Sequence, residues 1–134
     1  MKKDIIRFKV KGVYMAIARQ QTESGEFKWF VYIINNNDYA IDNVLITSKG
    51  YGSLNGEERK TSILRQLFDR IEPKSFQLVE PIDPKLFVLC NEFWVSYYIG
   101  RDIYDKKYIF LPESLTEKYI TTINPLGLEG VLHH

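Results

Sequence analysis

The stretch Glu92–Ile99, "EFWVSYYI", alternates without a break: Phe93, Val95, Tyr97 and Ile99 fall on one side, Trp94, Ser96 and Tyr98 on the other. A helix, with 3.6 residues per turn, would scatter these side chains around its axis. A strand sorts them onto two faces, because its side-chain period is two. "KWFVYII" (Lys28–Ile34), "NVLITS" (Asn43–Ser48) and "SFQLVE" (Ser75–Glu80) repeat the pattern with branched and aromatic residues, the types that fill a pleated surface. A chain built of such runs folds around sheets. The expectation is a mostly β fold, an antiparallel β-sandwich or curled sheet with one short helix, with an α+β arrangement as the alternative.

Turn chemistry separates the runs. "VYMAIARQ" (Val13–Gln20) meets "KWFVYII" through the polar turn "QTESGEF", and "NNNDYAID" (Asn35–Asp42) offers side chains that tolerate left-handed backbone. "KLFVLC" and "KYIFL" (Lys107–Leu111) read as further strands, the latter after a turn at Gly100–Lys106. Turn spacing predicts six to eight short strands in a single domain over residues 1–134. One segment breaks the period: Ile63, Leu64, Leu67, Phe68 and Ile71 recur at helical spacing, with Arg65, Gln66, Asp69 and Arg70 opposite and Pro73 as a stop. This predicts a helix of about three turns over Thr61–Ile71, with a strand "TSILRQL" as the competing reading. Pro112 suits the first turn of a short helix, and the tail "TTINPLGLEGVLHH" reads as an irregular surface run.

Charge and cysteine content narrow the function classes. With 18 basic against 17 acidic residues the net charge is +1, which supplies no global attraction to nucleic acid or to an anionic membrane. Asp4, Arg7, Lys9 and Lys11 interrupt any apolar leader, and no run is long enough for a membrane helix, so a cytoplasmic protein is the default. Cys90 is the single cysteine, which leaves no internal disulfide and no thiolate zinc cluster. No cofactor and no metal is implied.

"SKGYGSLNGEERKTS" (Ser48–Ser62) raises the question of a phosphate cradle, with three glycines and a lysine before hydroxyl residues. A Walker loop places its lysine directly after the last glycine. Here Glu57, Glu58 and Arg59 intervene before Lys60, and two carboxylates would oppose an anion. A flexible joint, with Gly50, Gly52 and Gly56 at positive φ, is the simpler account. A small-ligand pocket beneath the loop is kept as an alternative, with Lys49, Tyr51, Lys60 and Thr61 converging on it.

Other constellations have plain readings. His133 and His134 are the only histidines and stand at the chain end, so a catalytic relay would need that end folded onto the core. Asn37, Asp38 and Asp42 lack the rhythm of a calcium loop. Glu80 with Asp83, and Asp102 with Asp105, read as solvated carboxylates at loop edges. Lys2, Lys3, Arg7, Lys9, Lys11, Arg19 and Lys28, with Phe8, Tyr14 and Trp29 among them, would suit single-stranded nucleic acid if they formed one stripe. No RNP-type pattern accompanies them, and lysines also protect sheet edges.

Residues 29–52, "WFVYIINNNDYAIDNVLITSKGYG", resemble the hairpins of small immunoglobulin-like β-sandwich modules in their aromatic strand, Asn-rich turn and N-V-x-I return. That resemblance implies a fold class and carries no site residue across; the helical segment and the missing disulfide depart from it.

The alternation in "EFWVSYYI" leaves two readings. The strand is buried on both faces, or Trp94 and Tyr98 form an exposed aromatic stripe for a partner. The function that fits best is a non-enzymatic interaction module acting through a protein-binding surface, toward a protein partner or by self-association. A ligand pocket at Gly50–Gly56 and single-stranded nucleic-acid binding follow as alternatives.

Overall fold

The computed structural model describes residues 6–134; Lys2, Lys3 and Asp4 lie outside the described residues. Among the described residues eleven strands build two sheets. The first, sheet A, contains β1 (Arg7–Phe8), β9 (Asp102–Phe110), β8 (Cys90–Ile99), β4 (Ile41–Leu54) and β5 (Glu57–Lys60) in that order, with β6 (Leu64–Ile71) also on β4. The second, sheet B, runs β10 (Thr121–Ile123), β11 (Leu128–His133), β2 (Val13–Gln21), β3 (Phe27–Asn35), β7 (Ser75–Ile82). All pairings are antiparallel except β1 on β9.

The two sheets enclose one apolar layer. Val13, Met15, Ile17, Val31 and Ile33 from sheet B meet Val44, Ile46, Phe93, Val95, Tyr97, Tyr108 and Phe110 from sheet A. These positions are the inward members of alternating strands, so the mostly β two-sheet expectation is correct. Tyr97 and Tyr108 are among the largest fully buried side chains, and the Tyr108 hydroxyl is satisfied inside the layer, donating to the Val13 carbonyl at 2.5 Å. Burial raises the pKa of both phenols.

The far side of sheet B carries a second apolar cluster, with Ala16, Ala18, Tyr32, Ile34 and Ile123 buried and Leu126 and Leu128 packed on them. This places the C-terminal segment in the structure as β10 and β11, correcting the expectation of an irregular tail. β11 pairs with β2 from Glu129↔Arg19 to His133↔Met15. Gly130 is what allows it: a Cβ there would run into the Ile17 carbonyl and the Ala18 backbone.

Other elements also differ from expectation. Thr61–Ile71 forms no helix; Leu64–Ile71 is β6, paired with β4 from Ser48↔Leu64 to Ile41↔Ile71. "KLFVLC" is mostly a 3-10 turn, Pro84–Val88, capped by the Asp83 carboxylate on the Lys85 amide at 2.9 Å. The link between β3 and β4 does not close a hairpin but carries the chain from sheet B to sheet A. The β2–β3 and β8–β9 hairpins stand as expected, with the latter turn tighter than Gly100–Lys106. Among the described residues no helix is long and apolar enough to cross a membrane.

Candidate functional site

β8 decides between the two readings of its alternation. Phe93, Val95 and Tyr97 are buried in the central layer, whereas Trp94 and Tyr98 stand exposed on the outer face of sheet A. The strand is therefore not covered on both faces. Register shows what surrounds them. Trp94 lies between Thr47 of β4 and Lys107 of β9, with Arg65 of β6 beyond Thr47. One row along, Leu67, Leu45, Ser96 and Asp105 stand side by side across β6, β4, β8 and β9. Tyr98 and its neighbour Ile103 complete the next row.

Four of these side chains leave much apolar area in water: Leu67 is 68% exposed, Trp94 43%, Leu45 38% and Tyr98 37%. Scattered single residues of this kind are ordinary on protein surfaces; a contiguous group rimmed by charge marks a contact surface. The rim is here. Arg70 binds Asp42 at 2.7 Å and Arg7 binds Asp105 at 2.7 Å, while Arg65 and Lys107 have no carboxylate partner among the described residues.

Trp94 is held in place without being covered. Its indole Nε1 donates to Asp105 Oδ2 at 3.3 Å, and Lys107 Nζ stands 4.9 Å from its ring centroid. Asp105, expected to be a loop-edge carboxylate, is the acceptor shared by Arg7 and Trp94. A large aromatic fixed before contact gives up little side-chain entropy on binding.

A second feature lies at the end of the same face. β4 and β5 project beyond β6 as a two-stranded arm closed by Asn55 and Gly56, and a groove of about 700 Å³ opens beside it. Lys49, Tyr51, Lys60 and Thr61 all line the groove, so the structure brings together the four residues singled out for a ligand. Tyr51 and Lys60 are direct cross-strand neighbours. Glu92 anchors the floor, almost fully buried: it accepts from the Tyr51 hydroxyl at 3.3 Å and lies 3.6 Å from Lys49 Nζ. Burial and then the nearby Glu92 charge raise the Tyr51 pKa. The Thr61 hydroxyl is occupied, accepting from the Gly50 amide at 2.7 Å and donating to the Ser62 carbonyl. Lys60 is exposed and the groove is open to solvent, which offers a ligand little enclosure.

The glycine-rich segment holds no phosphate cradle of strand-to-helix form, because a hairpin replaces the helix. Asn55 and Gly56 sit at φ 54° and 79°, the left-handed pair of a two-residue turn. Sequence reasoning treated this as a joint and missed Asn-Gly as a hairpin signal.

The remaining candidates disperse. Arg7 lies on sheet A, Arg19 and Lys28 on sheet B. Arg19 is engaged by Glu117 at 2.5 Å and Glu129 at 3.1 Å. Asp38 and Asp42 each face a cation, Lys74 and Arg70. His133 packs edge-on to Tyr108 and Phe110, and its Nδ1 lies 3.0 Å from the His134 main-chain oxygen. Glu80, expected to be a solvated loop-edge carboxylate, is instead buried within β7: only 8% exposed, it lines a cleft of about 170 Å³ between the sheets and accepts from the Ser48 hydroxyl at 2.9 Å. Burial raises its pKa, with the Ser48 hydrogen bond opposing.

Compared with known proteins, the chain matches no family model, no curated protein and no solved structure.

Proposed function

We propose that this protein is a non-enzymatic interaction module whose working surface is the outer face of sheet A, with Trp94 at its centre and Tyr98, Leu45 and Leu67 around it. The observation that carries the reading is the one-sided burial of β8, which leaves an anchored tryptophan in an apolar patch that none of the described residues covers. An apolar centre inside a polar rim is the anatomy of protein interfaces, and tryptophan is among the residues that concentrate their binding energy. Lys107, with no carboxylate partner among the described residues, suits a partner with carboxylates beside its apolar residues. A reducing cytoplasmic setting suits the unpaired Cys90.

The test is affinity capture from the native host with the tagged protein and with Trp94→Ala, each with and without nuclease. A protein retained by the wild type, lost by the variant and indifferent to nuclease supports the reading. Equal capture by both proteins, or capture abolished by nuclease, contradicts it.

The groove beside the β4–β5 arm supports a second reading, small-ligand binding, because Lys49, Tyr51, Lys60 and Thr61 share it with a buried Glu92. A stabilising compound in a thermal-shift screen whose effect disappears in both Tyr51→Phe and Lys60→Ala would favour that reading.

A further inference from the structure

β6 pairs with β4 along one edge and with no other strand among those described, so its second edge offers free backbone donors and acceptors. Such edges recruit further strands unless their side chains prevent it. The outward side chains of β6 are Arg65, Leu67 and Asp69, by alternation with the pairs Arg65↔Thr47 and Leu67↔Leu45. All three are exposed, and neither Arg65 nor Asp69 has an ion-pair partner among the described residues. They cannot satisfy one another, since four residues of strand separate them by about 13 Å.

Read in either direction, the outward face of β6 has an apolar residue flanked by opposite charges. We propose that β6 pairs antiparallel with β6 of a second copy of this chain about a two-fold axis through Leu67, which joins the two A sheets into one. In that register Leu67 stands opposite the second copy's Leu67, and each Arg65 stands opposite an Asp69. In the same register Gln66 meets Phe68, and Leu64 stands opposite Arg70, so no like charges oppose. Sliding the pairing by two residues sets Leu67 against Arg65 or Asp69 and loses both charge pairs. A two-fold contact uses the same patch on both subunits, which is what this strand supplies. The two Leu45–Leu67 strips then become continuous, and each Trp94 remains on the open face. The pairing rests on the proposed function only in treating sheet A as the contact side.

The experiment is the solution mass of the intact protein by light scattering after size exclusion, on the wild type, Arg65→Asp, Asp69→Arg, the double reversal and Trp94→Ala, with circular dichroism confirming that each variant is folded. The expected result is a mass of two chains for the wild type, one chain for either single reversal, and two chains again for the double reversal. An equimolar mixture of the two single variants also dimerises, because one strand is then wholly acidic at these positions and the other wholly basic. Trp94→Ala stays dimeric, which separates this contact from the face proposed to bind a partner. A wild type that is monomeric up to roughly 1 mM, where association is too weak to matter, overturns the pairing. So does a dimer that survives both single reversals, or one that Trp94→Ala abolishes. If a reversal fails to fold, protection of the β6 amides from hydrogen exchange in the wild type, rising with protein concentration, decides in its place; protection independent of concentration overturns the pairing.

Discussion

At position 80 a carboxylate lies between the sheets, accepting from the Ser48 hydroxyl and with no ion-pair partner among the described residues. Burial raises its folded-state pKa above that of an unfolded glutamate. The sign follows from linkage: the stability this group contributes is fully present below the ordinary glutamate value and is lost as pH rises through the higher folded value. Glu80→Gln keeps the shape and removes the charge. It is expected to raise Tm at neutral pH and to leave it unchanged near pH about 4, where the wild-type group is protonated anyway; a calorimetric series against pH checks this. Gly130 gives a second residue-scale prediction. Gly130→Ala is expected to cost about 1–3 kcal/mol, read from the denaturant midpoint, because its methyl has no room against the backbone of β2. Neither residue was legible in the sequence. Strict alternation puts Glu80 outside with Phe76 and Leu78, but a bulge opposite Val31 and Tyr32 inserts Val79 and turns Glu80 inward. Gly130 read as part of an irregular surface tail because β2, the strand it lies against, is remote in sequence.

The strands that alternate cleanly are the elements the sequence showed best. Residues of β2, β3 and β8 separate into two sets, one facing the central layer and the other the far side of their sheet, as a side-chain period of two requires. β6 misled for a physical reason. Its apolar residues follow helical spacing, yet Phe68 and Gln66 face the core opposite Val44 and Ile46 while Leu67 faces outward opposite Leu45. The helical stripe was therefore two strand faces superimposed, and pairing with β4 overrode local preference. The Asn55–Gly56 turn belongs to this scale as well. Gly56 sits at φ 79° with open space around its α-carbon, so Gly56→Ala costs backbone strain alone. The expected loss is about 1 kcal/mol, seen as a lower urea midpoint with unchanged slope. A larger loss would mean that the β4–β5 arm is more than a local hairpin.

At the scale of the whole molecule, a two-sheet body was readable because nearly every segment between turns carries period two, and a single inner layer can satisfy all of them at once. The working face was less readable. Sequence alternation identified Trp94 and Tyr98 as one set, but whether helix, loop or nothing covered that set depended on where residues 61–71 went. Once they form a strand in the same sheet, no helix among the described residues remains to cover the face. Trp94→Ala is accordingly expected to leave Tm nearly unchanged, since the side chain packs little in the free protein, and to weaken partner binding by more than about 2 kcal/mol if it is the anchor.

The most direct test places a photo-crosslinking amino acid at Thr47, beside Trp94 on the outer face of sheet A, and at Lys28 on sheet B as a control, in living cells of the native host. The account predicts a discrete adduct from position 47 that disappears when Trp94 is also changed to alanine, and none from position 28. An adduct from position 28 alone, or one from position 47 that is indifferent to Trp94, would contradict it.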